Sequence, residues 1–114
     1  MSKREWKLFV EDILESIELI ESYVHDMELS DFTKDRKTID AVVRNFEIIG
    51  EASKFIPENI KNKHAEIDWK GIIGLRNRIA HEYFGISVPI VWDIIKKELP
   101  RLKNQMESIL PRPD

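Results

Sequence analysis

The chain has 114 residues, of which 42% are hydrophobic, carries a formal net charge of -3 and contains no cysteine. That length suits one domain able to bury a core unaided, and so apolar a composition excludes a disordered chain. The missing cysteine excludes disulfides, thiolate metal sites and thiol nucleophiles, and is compatible with a reducing compartment.

Charge is unevenly spread. Residues 1–60 hold 8 Lys/Arg against 14 Asp/Glu, and residues 61–114 hold 10 against 7. A basic C-terminal half is suited to facing phosphate; mixed charges on solvated helix faces explain the counts equally well. Behind Met1-Ser2-Lys3-Arg4 there is no signal-like apolar core, because Glu11, Asp12, Glu15 and Glu18 interrupt it. No run is apolar enough to span a bilayer. The expectation is a soluble cytoplasmic protein with no membrane partner.

In chain order, Trp6, Val10, Ile13, Ile17, Ile20, Val24 and Met27 recur in alternating steps of four and three. This predicts one long amphipathic helix. Ser30-Asp31-Phe32-Thr33 breaks the pattern and offers capping side chains. A second helix follows through Ile39, Val42, Val43, Phe46, Ile49, Ser53 and Ile56, and Pro57 ends it. Gly50 inside it implies close helix–helix approach, since an interior Gly costs about 1 kcal/mol against Ala. Residues 58–68 read as a polar connector with a turn of helix.

Asp68 is placed to cap a third helix from Trp69 through Ile72, Ile73, Ile79, Ala80 and Tyr83. Phe84-Gly85 ends it, with Gly85 suited to a left-handed cap. Ser87 can cap a fourth helix with Pro89 in its first turn. Its apolar face is Val88, Val91, Trp92, Ile95, Leu99, Leu102, Met106 and Ile109, and Pro100 should kink or split it. No strand pattern, repeat or low-complexity tract appears. The expected architecture is an all-α, up-and-down four-helix bundle in a single domain over residues 1–110, with 111–114 a frayed tail.

The chemistry gathers in Gly74-Leu75-Arg76-Asn77-Arg78-Ile79-Ala80-His81-Glu82-Tyr83. On one straight helix Arg76 falls in the middle of the apolar stripe, with Asn77 and His81 at its edge and Tyr83 beside Arg76. A guanidinium in an apolar face needs partners. Those are either a carboxylate such as Glu47 or Glu51, which is a structural role, or a ligand phosphate. The company of an amide, an imidazole and a phenol favours the second.

Such groups suit metal-free cleavage of RNA. An unperturbed imidazole has its pKa near neutrality, so His81 can take the proton of a 2′-hydroxyl. Arg76 can bind the phosphate and stabilise its developing charge. Asn77 can orient the imidazole or hydrogen-bond the phosphate. DNA lacks the attacking hydroxyl. Arg76 and His81 stand about 140° apart on a straight helix, so gripping one phosphate calls for groups from two copies in a two-fold dimer.

The run Arg76-Asn77-x-x-x-His81-x-Tyr83 resembles the HEPN ribonuclease signature, and its His-x-Tyr extension resembles the HepT toxins of HepT/MntA toxin–antitoxin pairs. Ile48-Ile49-Gly50-Glu51-Ala52, Ile67-Asp68-Trp69-Lys70 and Tyr83-Phe84-Gly85 with Val91-Trp92 add to the likeness, which covers roughly residues 5–108. It implies a homodimeric helical bundle that cuts RNA without metal, using Arg76 and His81 with Asn77 as the polar residue after the Arg. It further implies a minimal nucleotidyltransferase antitoxin that transfers AMP from ATP onto Tyr83. No cofactor is implied. Ser87 stands where relatives often have an acidic cap.

Other candidates carry less. His25 and His64 lie on acidic segments without a second ligand at metal spacing, and read as exposed. His81-Glu82 does not continue into a zinc helix, because position 85 is Gly. Gly71 and Gly74 follow no strand, so they suit close packing rather than a phosphate loop. Trp6, Trp69 and Trp92 can stack on bases, but at helical spacing they suit core or interface. The competing function is a catalytically silent bundle that binds a nucleotidyltransferase or a nucleotide as a scaffold.

Overall fold

The computed structural model describes residues 5–75, 77–79 and 88–110, and among them every regular element is a helix. The protein is an all-α helical bundle. Helix α1 (Trp6–Tyr23) buries Val10, Ile13, Ile17 and Ile20 completely, following the predicted step of three and four. Helix α3 (Arg36–Lys54) answers with Ile39, Val42, Phe46 and Ile49, and the two pack along each other. Each fully buried aliphatic side chain contributes about 1.5–3 kcal/mol, so this seam anchors the fold. Gly50 is buried on α3.

The C-terminal helix α7 (Leu99–Ile109) lays Leu99, Leu102, Met106 and Ile109 into the same core and packs against α1. Across that contact Lys103 Nζ donates to Glu21 Oε1 at 3.0 Å. This hydrogen bond, with the Glu21 charge, holds the Lys103 amine above its ordinary value.

The described chain contains more and shorter helices than periodicity suggests. Helix α1 stops at Tyr23, where Val24 N–H bonds Ile20 O, and the chain turns with Asp26 at φ 63°. Asp tolerates this left-handed region better than most residues. Val24 is still buried and Met27 still packs on the core, so the apolar rhythm outlasts the helix.

The break read at Ser30–Thr33 is itself a short helix, α2 (Leu29–Lys34), which buries Phe32. Glu28 N–H donates to the Asp31 carboxylate at 2.9 Å at its start. The cap of α3 is Asp35, whose Oδ1 accepts from Thr38 N–H at 3.1 Å and Oδ2 from the Thr38 hydroxyl at 2.7 Å. Those bonds, the hydroxyl's foremost, hold the Asp35 carboxyl below its ordinary value. The connector 58–68 contains the predicted turn of helix as α4 (Glu58–Lys63), with Pro57 at its N-cap.

The predicted third helix is interrupted. Helix α5 (Trp69–Ile73) is capped by Asp68, whose Oδ1 accepts from Gly71 N–H at 3.0 Å, as expected, but the helix ends at Gly74. Helical backbone continues over residues 77–79, where Arg78 N–H bonds Gly74 O at 3.0 Å. The predicted caps Gly85 and Ser87, and the tail 111–114, lie outside the described residues.

The predicted fourth helix is also divided. Helix α6 (Val88–Asp93) passes into a π-helical turn at Ile94–Glu98 before α7 begins. Pro100 is the second residue of α7 and has no N–H for the Lys96 carbonyl an α-register would offer. The wider turn upstream is where the backbone absorbs that loss.

Candidate functional site

Of the residues predicted to carry chemistry, Asn77 is the one the structure describes. Arg76, His81 and Tyr83 lie outside the described residues. Asn77 sits on the helical segment 77–79 and is exposed, while Leu75 before it and Ile79 after it are buried. Two buried residues four apart pin this segment to the core and turn Asn77 outward. A solvent-facing amide on an anchored backbone is free to meet a ligand.

Arg78, next along, is anchored across the fold. Its Nη1 and Nη2 donate to Glu98 Oε1 and Oε2 at 3.4 and 3.1 Å. Glu98 is the last residue of the π-helical turn, so this two-pronged pair ties the Asn77 segment to the π turn. Both side chains are over a third exposed, which limits the pair's worth to under about 1 kcal/mol.

Beside the pair opens a cleft of about 320 Å³. Its apolar lining includes Phe46, Ile72, Leu75, Ile94, Leu99 and Leu102, and its polar lining includes Glu66, Asp68, Arg78, Glu98, Arg101 and Gln105. Sequence reasoning missed it because its walls come from three stretches far apart in the chain, around residues 46, 66–78 and 94–105. The available signal was Arg101 and Gln105, a cation and an amide four residues apart beside the apolar stripe of α7.

The three tryptophans pack into the fold. Trp69 is buried and its Nε1 donates to His64 O at 3.1 Å. Trp92 packs against Phe32 with ring centroids 5.1 Å apart, and Lys96 Nζ lies 4.8 Å over its ring. Trp6 is partly buried against the core. His25 is exposed beside Asp26, whereas His64 is half-buried, with Nδ1 3.8 Å from Glu66. Glu47 and Glu51, considered above as partners for Arg76, lie near cations of their own helix, and a pairing of either with Arg76 falls outside the described residues. Arg44 is 3.9 Å from Glu47, and Lys54 is 3.1 Å from Glu51. Among the described residues no group of three His, Asp or Glu stands where it could hold a metal ion, and no helix is long and apolar enough to cross a membrane.

Residues 13–109 match the family described as ribonuclease HepT-like. The chain belongs to the HepT-like ribonuclease family. It is 44% identical over 107 residues to the "Probable ribonuclease HepT" of Thermococcus cleftensis, covering 94% of this chain and 97% of that one. It is also similar to two relatives whose names carry the word RNase. One, from Methanocaldococcus jannaschii, is 41% identical over 96% of this chain and 91% of its own length. The other, from Caldanaerobacter subterraneus subsp. tengcongensis, is 40% identical over 91% of this chain and 93% of its own. No solved structure matches the chain.

Proposed function

We propose that this protein is a metal-independent RNA endonuclease, the toxin of a type VII HepT/MntA-like toxin–antitoxin system acting in the cytoplasm. The observation that carries the reading is the run Arg76-Asn77-x-x-x-His81-x-Tyr83 in a chain that belongs to the HepT-like ribonuclease family. The exposed amide of Asn77 on an anchored helical segment supports it.

In the proposed reaction His81 takes the proton of a ribose 2′-hydroxyl. The 2′-oxygen attacks the adjacent phosphorus, and the bond from phosphorus to the 5′-oxygen breaks. The leaving oxygen is protonated, which produces a 2′,3′-cyclic phosphate and a 5′-hydroxyl. Arg76 stabilises the added negative charge on the phosphoryl oxygens, and Asn77 orients the imidazole or the phosphate. Two copies form a homodimer whose cleft joins these groups.

The partner is a minimal nucleotidyltransferase antitoxin. The Tyr83 phenol oxygen attacks the α-phosphorus of ATP, pyrophosphate leaves and the phenol proton is lost. The AMP so attached places an anion beside Arg76, occupying the phosphate site and repelling RNA.

Growth of cells expressing the chain without a partner tests the reading. Toxicity should vanish in His81→Ala with the fold intact. Equal toxicity from that variant would instead favour a catalytically silent scaffold. Co-expression with the nucleotidyltransferase should add the mass of AMP to wild type and not to Tyr83→Phe.

A further inference from the structure

The cleft beside the Arg78–Glu98 pair is not used by the chemistry above. Its polar groups divide into two sets. Asp68 caps α5 through Gly71 N–H, Arg78 and Glu98 hold each other, and Glu66 lies 3.8 Å from His64. Arg101 and Gln105 are different. Among the described residues the Arg101 guanidinium makes no ion pair and the Gln105 amide no hydrogen bond, though Gln105 is half-buried. They stand four residues apart on α7, about 6 Å along its axis, and both line the cleft.

We propose that this cleft is a subsite for one unpaired nucleotide of the RNA substrate, with Arg101 on a phosphate and Gln105 on the base edge. This rests on the nuclease reading. The apolar lining of Phe46, Ile72, Leu75 and Leu102 offers a base a place to leave water, as single-stranded RNA recognition requires. Its size sits at the small end of small-molecule sites, about 300–1,000 Å³, which suits one nucleotide and not a duplex. An Arg beside a planar amide is chemistry used on phosphates and base edges. Arg78, which lines the cleft, is the residue after Asn77. A nucleotide held there would make Arg101 and Gln105 positioning and specificity residues.

The test uses the full chain and single-stranded RNA of mixed sequence. Arg101→Ala and Gln105→Ala should each raise KM about tenfold to a hundredfold, change kcat little and shift the pattern of cut positions. Arg101→Lys should recover part of the affinity. Independently, titrating wild type with nucleoside 5′-monophosphates should shift the Gln105 side-chain amide signals, and more weakly in Arg101→Ala. A protein that cuts no RNA yet shows those shifts would sink the nuclease reading and leave the subsite standing. Unchanged KM and cut pattern, or no shift with any nucleotide, overturns the subsite. So does unchanged RNA kinetics with weakened binding of the nucleotidyltransferase, which would make the cleft a protein-docking surface.

Discussion

Helices α1 and α3 run 18 and 19 residues without interruption. Among the described residues, the stretch from Asp68 to Glu98 holds helices of five and six residues, a turn at Gly74, the helical segment 77–79 and a π-helical turn. The first region buries its apolar side chains in one straight seam. The second must also turn polar groups outward: Asn77 to solvent, and Arg78 to the π turn. Long helices maximise burial per residue. Short ones allow each segment to be aimed separately. The fold thus keeps its stability in α1 and α3 and its candidate chemistry on segments that they support.

Substitutions that strike one region alone should separate stability from activity. The largest effect is expected at His81 and Arg76. Either alanine variant should lower RNA cleavage by about 10²–10⁴-fold, with an unchanged unfolding midpoint and with the proposed dimer retained in sedimentation. Dissociation of the Arg76→Ala dimer would instead make that Arg a structural cation. Ile17→Ala, in the fully buried seam of α1, should do the reverse. It should cost about 2–5 kcal/mol in urea unfolding, with per-molecule activity of the folded fraction unchanged.

A smaller effect sharpens the boundary between the regions. A Cβ built on Gly71 collides with the Asp68 carboxylate that caps α5. Asp68→Ala should cost about 1 kcal/mol, and Gly71→Ala should not stabilise the native chain. In the Asp68→Ala background the same change should stabilise, by up to about 1 kcal/mol. The double-mutant cycle reads this coupling directly.

Glu98→Gln should cost under about 1 kcal/mol, and added salt should erase the difference from wild type. If the pair only props the cleft, RNA affinity falls slightly while kcat stays.

The smallest effects are pH-dependent and belong to the scaffold. Asp35 has a lowered pKa through its Thr38 bonds. Its stabilisation is full above the ordinary carboxylate range and is lost as pH falls through the lowered value. Lys103 has a raised pKa through Glu21. Its stabilisation is full below the ordinary lysine range and is lost as pH rises through the raised value. Asp35→Asn should flatten the acid limb of the unfolding profile, and Lys103→Met the alkaline limb.

Periodicity was enough to find the seam, because Val10, Ile13, Ile17 and Ile20 report burial directly. The cap at Asp68 was also legible, since an acceptor before an apolar run has few other uses. Helix ends were less so. Burial continues through Val24 and Met27 after α1 has ended, and Phe32 is buried from a helix that looked like a break. Pro100 was visible as a breaker, whereas Gly74 was read as a packing residue inside one continuous helix and instead closes α5; the turn taken at each depends on packing from elsewhere. Asn77 could be read as a candidate from its neighbours in the chain, and its exposure is what the structure adds. The cleft could not, because Phe46, Asp68 and Gln105 meet only through tertiary contacts.

The most direct measurement is the chemistry of the RNA ends made by purified protein in a chelating buffer. The account predicts 2′,3′-cyclic phosphate and 5′-hydroxyl ends from wild type, and no cleavage from His81→Ala. Cleavage of a DNA strand, or cleavage by His81→Ala at the wild-type rate, would contradict it.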